Sequence, residues 1–134
     1  MTVTLEAGLV GRDEQTLFAF YTEVLGFALV ERLVFDVGVV CKLRRGDARL
    51  KIFFPRAALD PAVRAEPWFR PGGWRYAALG LERLADVDAL AAAVAASHGQ
   101  VLTAPTDHRE GARMALIADP EGNAWELLAE SPRS

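Results

Sequence analysis

Asp13-Glu14-Gln15-Thr16-Leu17-Phe18-Ala19-Phe20-Tyr21-Thr22-Glu23-Val24-Leu25-Gly26-Phe27 is the stretch on which the fold reading turns. Leu17, Phe20, Tyr21, Val24 and Leu25 recur at three- and four-residue spacing, the period of one helix face. Asp13 stands where a capping side chain is wanted, Glu14 suits the positive helix end, and Gly26 is placed to stop the helix. A second stripe, Val87, Leu90, Ala91 and Val94, has Asp86 as its cap and Gly99 as its end. The alanine-rich run Ala91–Ala96 favours helix. An offset of 73 relates Asp13 to Asp86, Leu17 to Leu90, Gly26 to Gly99 and Leu29 to Leu102. Cap, stripe, stop and following strand in register argue for an internal duplication.

Outside the helices the chain reads as strands. Val3–Val10, Phe27–Val34, Val37–Arg44 and Ala48–Phe54 belong to the first half. Arg75–Leu81, Gln100–Thr103, Ala112–Ala118 and Ala124–Ala129 belong to the second. Arg45-Gly46-Asp47 and Asp119-Pro120-Glu121-Gly122-Asn123 carry hairpin-turn residues. Pro55–Gly73 contains Pro55, Pro61, Pro67 and Pro71 and reads as a linker. The expectation is one domain over 1–134, with a first module at about 2–54, a linker at 55–73 and a second module at about 74–130. Its fold class is α+β: two tandem βαβββ modules forming a curled mixed sheet around a cleft.

Composition narrows the classes. The chain has 134 residues, 51% of them hydrophobic, enough for a core that needs no disulfide or metal staple. Fifteen basic and 18 acidic residues give a net charge of −3, which argues against nucleic acid as a partner. One cysteine, Cys41, excludes an intrachain disulfide; it reads as a small core hydrophobe, and a reducing, cytoplasmic location is expected. No apolar run is long enough for a membrane helix and no signal peptide is expected, so no membrane partner is either.

Asp13…Phe20-Tyr21-Thr22-Glu23-Val24-Leu25-Gly26-Phe27 resembles the first-helix signature of the vicinal oxygen chelate superfamily. That group includes glyoxalase I, extradiol dioxygenases, fosfomycin-modifying enzymes and bleomycin resistance proteins. Asp119-Pro120-Glu121-Gly122-Asn123-Ala124-Trp125-Glu126-Leu127 resembles its closing hairpin. The resemblance runs from about Thr4 to Glu130. It implies four metal-ligating positions on four strands. The first falls on Glu6, where histidine is usual. The second falls on Lys51, where glutamate or histidine is usual. The third falls on Tyr76, or on Leu79 if the repeat offset is kept without a gap. The fourth falls on Glu126, which matches the family's glutamate. A protonated lysine has no lone pair to donate, so the resemblance implies a chain without the family's metal and with no other cofactor. A divalent metal is the less favoured reading.

Glu6, Lys51 and Glu126 are expected to converge, with Tyr76 as a fourth catalytic candidate. Three readings stand open: a structural ion pair in the vacated metal position, ligand recognition, and general acid–base catalysis. If Lys51 is buried between the two carboxylates, its loss costs about 3–5 kcal/mol. Phe53, Trp68, Phe69 and Trp74 are candidates for contact with a flat organic ligand, with His108 in the polar loop Thr106–Gly111. The same aromatics suit the interface of a homodimer. The functional expectation is a small-molecule-binding protein of the glyoxalase and bleomycin-resistance type, with turnover left open. The alternative is a divergent metal-dependent lyase, isomerase or dioxygenase.

Overall fold

The computed structural model describes residues 1–60, 69 and 72–131. Two compact units divide the chain, Met1–Ala62 and Val63–Ser134. The first holds β1 (Ala7–Val10), α1 (Glu14–Ala19) with a π-helical turn Phe20–Val24, β2 (Ala28–Phe35), β3 (Gly38–Arg45) and β4 (Ala48–Pro55). The second holds β5 (Tyr76–Leu81), α2 (Leu84–Ala95), β6 (Gln100–Arg109), β7 (Ala112–Ala118) and β8 (Ala124–Glu130). Each unit is a four-stranded sheet, ordered β1-β4-β3-β2 and β5-β8-β7-β6. The β1/β4 and β5/β8 pairs are parallel and the others antiparallel. Both units are therefore βαβββ modules, and the α+β duplication read from the sequence is what the chain adopts.

Local chemistry explains the first module. The Asp13 carboxylate accepts from the Thr16 N–H at 3.0 Å, the capping bond expected of it. The helix then widens: the Leu25 N–H donates to the Phe20 carbonyl at 3.0 Å, five residues back. Gly26, with φ 76°, ends it. Leu17, Phe20, Tyr21 and Leu25 are buried, as are Cys41, Leu50, Ile52 and Phe54 of the sheet. Leu17 and Phe54 both close over Gly11, where an added Cβ would stand 2.6 and 2.7 Å from them. Burial raises the Cys41 thiol pKa, and the Glu14 carboxylate beside it raises it further. Cys41 is thus the inert core side chain the sequence indicated.

Five expectations are corrected. β1 begins at Ala7 rather than Val3, because the ladder with β4 starts at Ala7 opposite Leu50; Val3 and Leu5 stay exposed and Glu6 lies just ahead of the strand. Arg83, not Asp86, precedes the second helix. The Asp86 carboxylate reaches back to accept from the Arg83 backbone N–H at 3.0 Å and its guanidinium at 2.9 Å. The helices are consequently related by 70 residues and not 73: Arg83 matches Asp13, Val87 matches Leu17 and Ala91 matches Tyr21. Gly99 does not stop α2, whose C-cap is Ala96. Finally, β6 continues past Thr103 to Arg109, so His108 sits on a strand and not in a loop. Pro105 lies within β6, an edge strand, where proline costs no ladder bond.

The second module is clasped by Arg113 of β7. Its guanidinium donates two bonds of 2.8 Å to Asp88 of α2 and one of 3.0 Å to Asp107 of β6. The hydrogen bond from Arg113 holds the Asp88 carboxyl below its ordinary value. A depressed folded-state pKa gives stability that is present above the unfolded pKa and lost as pH falls through the folded one. Thermal melts from pH 5 down to 2 should show wild type losing its advantage over Asp88→Asn below about pH 4, the unfolded-state range of an aspartate. An advantage that persists to the acid end would show that the clasp contributes through packing alone.

Candidate functional site

Each sheet has one face turned to its helix and one face open. Residues directly opposite on neighbouring strands share a face, so the ladder registers define the open surfaces. In the first unit one row is Gly8, Lys51, Lys42 and Glu31, across β1, β4, β3 and β2. One step along, in the same order, lie Val10, Phe53, Val40 and Leu33. One step the other way, Arg49 and Arg44 stand opposite each other. The Lys51 ammonium lies 3.3 Å from Glu6 Oε1, so the sequence candidates Glu6 and Lys51 do form an ion pair. The pair is not buried: its side chains are 47% and 37% exposed. The stabilisation expected of a buried pair is therefore corrected to at most about 1 kcal/mol, the range for solvated pairs.

The second unit repeats the geometry with different chemistry. Glu126 of β8 faces Ala78 of β5 on one side and Leu116 of β7 on the other. Tyr76 lies two residues before Ala78, on the same face, and is half exposed. Leu79 points the other way and is buried, so of the two alignments only Tyr76 shares a face with Glu126. Glu6 precedes the residue opposite Lys51 by two, as Tyr76 precedes the residue opposite Glu126 by two. The first pair is ionic. The second is a carboxylate and a phenol on a surface of Ala78, Leu116, Met114 and Leu128. Glu126 has no ion-pair partner among the described residues.

The remaining candidates are distributed. Phe53 is half-buried on the open face of β4, next in line after Lys51. Trp74 is exposed just before β5, and Phe69 is exposed too. His108 is exposed on β6. Trp68 lies outside the described residues. Lys42 and Arg44 escaped the sequence reading. The signal was present, because a two-residue turn at Gly46-Asp47 pairs Arg45 with Ala48 and so sets Lys42 opposite Lys51.

The four positions implied by the resemblance hold a lysine ammonium and the carboxylate paired with it in the first unit, and a phenol and a carboxylate in the second. That donor set does not suit a divalent ion, since an ammonium repels it and has nothing to donate. Among the described residues no three His, Cys, Asp or Glu side chains gather as a metal site. No described helix is long and apolar enough to cross a membrane.

Solved structures share this architecture. A glyoxylase/bleomycin resistance protein/dioxygenase domain from Frankia sp. EAN1pec is 17% identical over 100% of this chain and 96% of its own, with a TM-score of 0.80. A glyoxalase family protein from Bacillus cereus is 11% identical over 98% and 97%, with a TM-score of 0.79. A glyoxalase-related enzyme from Fulvimarina pelagi is 21% identical over 96% and 88%, with a TM-score of 0.70. At these identities the likeness is one of fold. A search of curated protein sequences returned no significant match. The sequence profile of one family matches residues 5–127, nearly the whole chain and both βαβββ modules. On that match the chain belongs to the Glyoxalase/Bleomycin resistance protein/Dioxygenase superfamily.

Proposed function

We propose that the chain binds a small organic molecule on its open sheet surfaces, without a divalent ion at the four positions its superfamily uses for one. The observation behind this reading is the Glu6–Lys51 contact of 3.3 Å, an ammonium paired with a carboxylate at two of the positions that the resemblance implies for metal ligands. Apolar rows beside the charged ones support an organic ligand rather than a bare ion: Val10, Val40 and Phe53 in one unit, Leu116 and Leu128 in the other. On the surface of the second unit Glu126 and Tyr76 supply an acceptor and a hydroxyl for a ligand lying there.

The test has two arms. Calorimetric titration of the chelator-treated protein with nickel, zinc and manganese should give no stoichiometric uptake. A metabolite panel read by thermal shift should return saturable hits, a ligand at a hundredfold its Kd adding about 2.7 kcal/mol. Gly8→Leu should abolish those hits without loss of fold, because no described residue lies within 4 Å of a Cβ at Gly8. A tightly held ion, one per chain and lost in Glu126→Ala, would overturn the metal-free reading. A panel without a hit would overturn the binding reading.

A further inference from the structure

Directly opposed like charges weaken a sheet, and the first module carries two such pairs in succession. Lys42 faces Lys51, and two residues along, Arg44 faces Arg49. All four project from the open surface. Cross-strand Cβ atoms stand about 5 Å apart, and the two pairs are separated by about 7 Å along the strands. Among the described residues, the carboxylates placed with them by the ladder and the ion pairs are Glu6, held by Lys51, and Glu31, opposite Lys42. Four cations against two anions make this surface locally positive in a chain whose net charge is −3. Lys42 and Arg49 form no ion pair among the described residues. Arg44 spends one N–H on the Gly46 carbonyl at 2.8 Å, which anchors its guanidinium and leaves the other donors free.

Other features carry less. The Glu14–Arg32 pair, with Cys41 beside it, joins helix to sheet and is satisfied within itself. The Arg113 clasp is likewise closed on Asp88 and Asp107. The cationic array is different: its members repel one another across the strands, and the Lys51–Glu6 contact and the Arg44 bond to the Gly46 carbonyl offset only part of that, so an external anion is the partner that offsets the rest.

We propose that the Lys42/Lys51 and Arg44/Arg49 pairs form an oxyanion-binding surface that holds the carboxylate or phosphate of an organic acid, whose carbon body lies on Val40 and Phe53. This rests on the small-molecule-binding reading and names the ligand class for it. Guanidinium forks suit the paired oxygens of such a group, and the apolar row one step along excludes water from the rest of the ligand.

Benzoate, its uncharged isostere benzamide, and inorganic phosphate serve as probes, each measured by thermal shift and calorimetry at fixed ionic strength. The expected result is saturable binding of benzoate and of phosphate, with benzamide at least tenfold weaker than benzoate. Benzoate tighter than phosphate assigns the site to carboxylates, and the reverse order assigns it to phosphates. Lys42→Ser/Arg49→Ser should weaken both anions at least tenfold. The ligand-free double variant should melt no lower than wild type, since it relieves repulsion; a merely structural role would lower its melting temperature. Benzoate and benzamide binding equally, both blocked by Gly8→Leu, would overturn the oxyanion assignment and leave small-molecule binding standing. Absence of binding by both anions, or unchanged affinity in the double variant, would also overturn the assignment.

Discussion

Asp119→Ala should lower the unfolding free energy by about 3–5 kcal/mol, the sum expected for several net bonds to a carboxylate plus donors left buried. Asp119 is only 3% exposed, the one buried charged residue among those described. Its carboxylate accepts from the Glu121 and Asn123 backbone N–H groups at 2.9 Å each and from the Asn123 side-chain amide at 2.8 Å. Those bonds shape the turn between β7 and β8, in which the Asp119 carbonyl also accepts from the Gly122 N–H. Alanine leaves the donors facing protein rather than water. Asp119→Asn keeps one acceptor oxygen and should lose about half as much. Urea denaturation of both variants measures the difference. A loss below about 1 kcal/mol for alanine, the worth of a single neutral hydrogen bond, would show that Pro120 and Gly122 set the turn unaided.

Gly38→Ala should cost as much or more. Gly38 opens β3 at φ 153°, and a Cβ there would collide with the Phe54 carbonyl oxygen while standing 2.8 Å from Pro55 Cα. Backbone atoms in a paired strand cannot rotate away as a side-chain tip can. Backbone strain of about 1–3 kcal/mol adds to an overpacking cost of similar size. Gly46→Ala is the control. Its φ is 57° and no described residue lies within 4 Å of the added carbon, so only the left-handed backbone cost of about 1–2 kcal/mol applies. Equal losses in the two variants, compared by thermal melts, would show that the sheet yields at Gly38.

The duplication and the strand faces were legible because they rest on short-range patterns. Leu50, Ile52 and Phe54 alternate with Arg49, Lys51 and Phe53, and the core lies where that alternation puts it. The helix offset was misread because Leu17 and Leu90, or Gly26 and Gly99, match by residue type, whereas packing matches Leu17 to Val87. Buried position is set by the cap, and a carboxylate can serve either as the cap or three residues inside it. Asp13 and Asp86 are one of each. The Glu6–Lys51 pair followed from the family positions, but its exposure did not, because β1 is only four residues long and starts after Glu6. Opposition of Lys42 to Lys51 needed the hairpin register, which the turn residues do encode.

One outer strand of each sheet, β2 in the first and β6 in the second, bears on solubility at high concentration. Strand β2 exposes Leu29, Val30, Val34 and Phe35 along an unpaired edge, a template for joining a second copy into one continuous sheet. Antiparallel self-joining that preserves the two faces must centre on a residue. At the middle of β2 the choices are Glu31 against Glu31 or Arg32 against Arg32. Either sets like charges in the closest contact, while β6 presents Pro105, which has no N–H to give. The adjacent opposite charges of Glu31 and Arg32 thus act as gatekeepers against aggregation on an edge whose other residues would favour it.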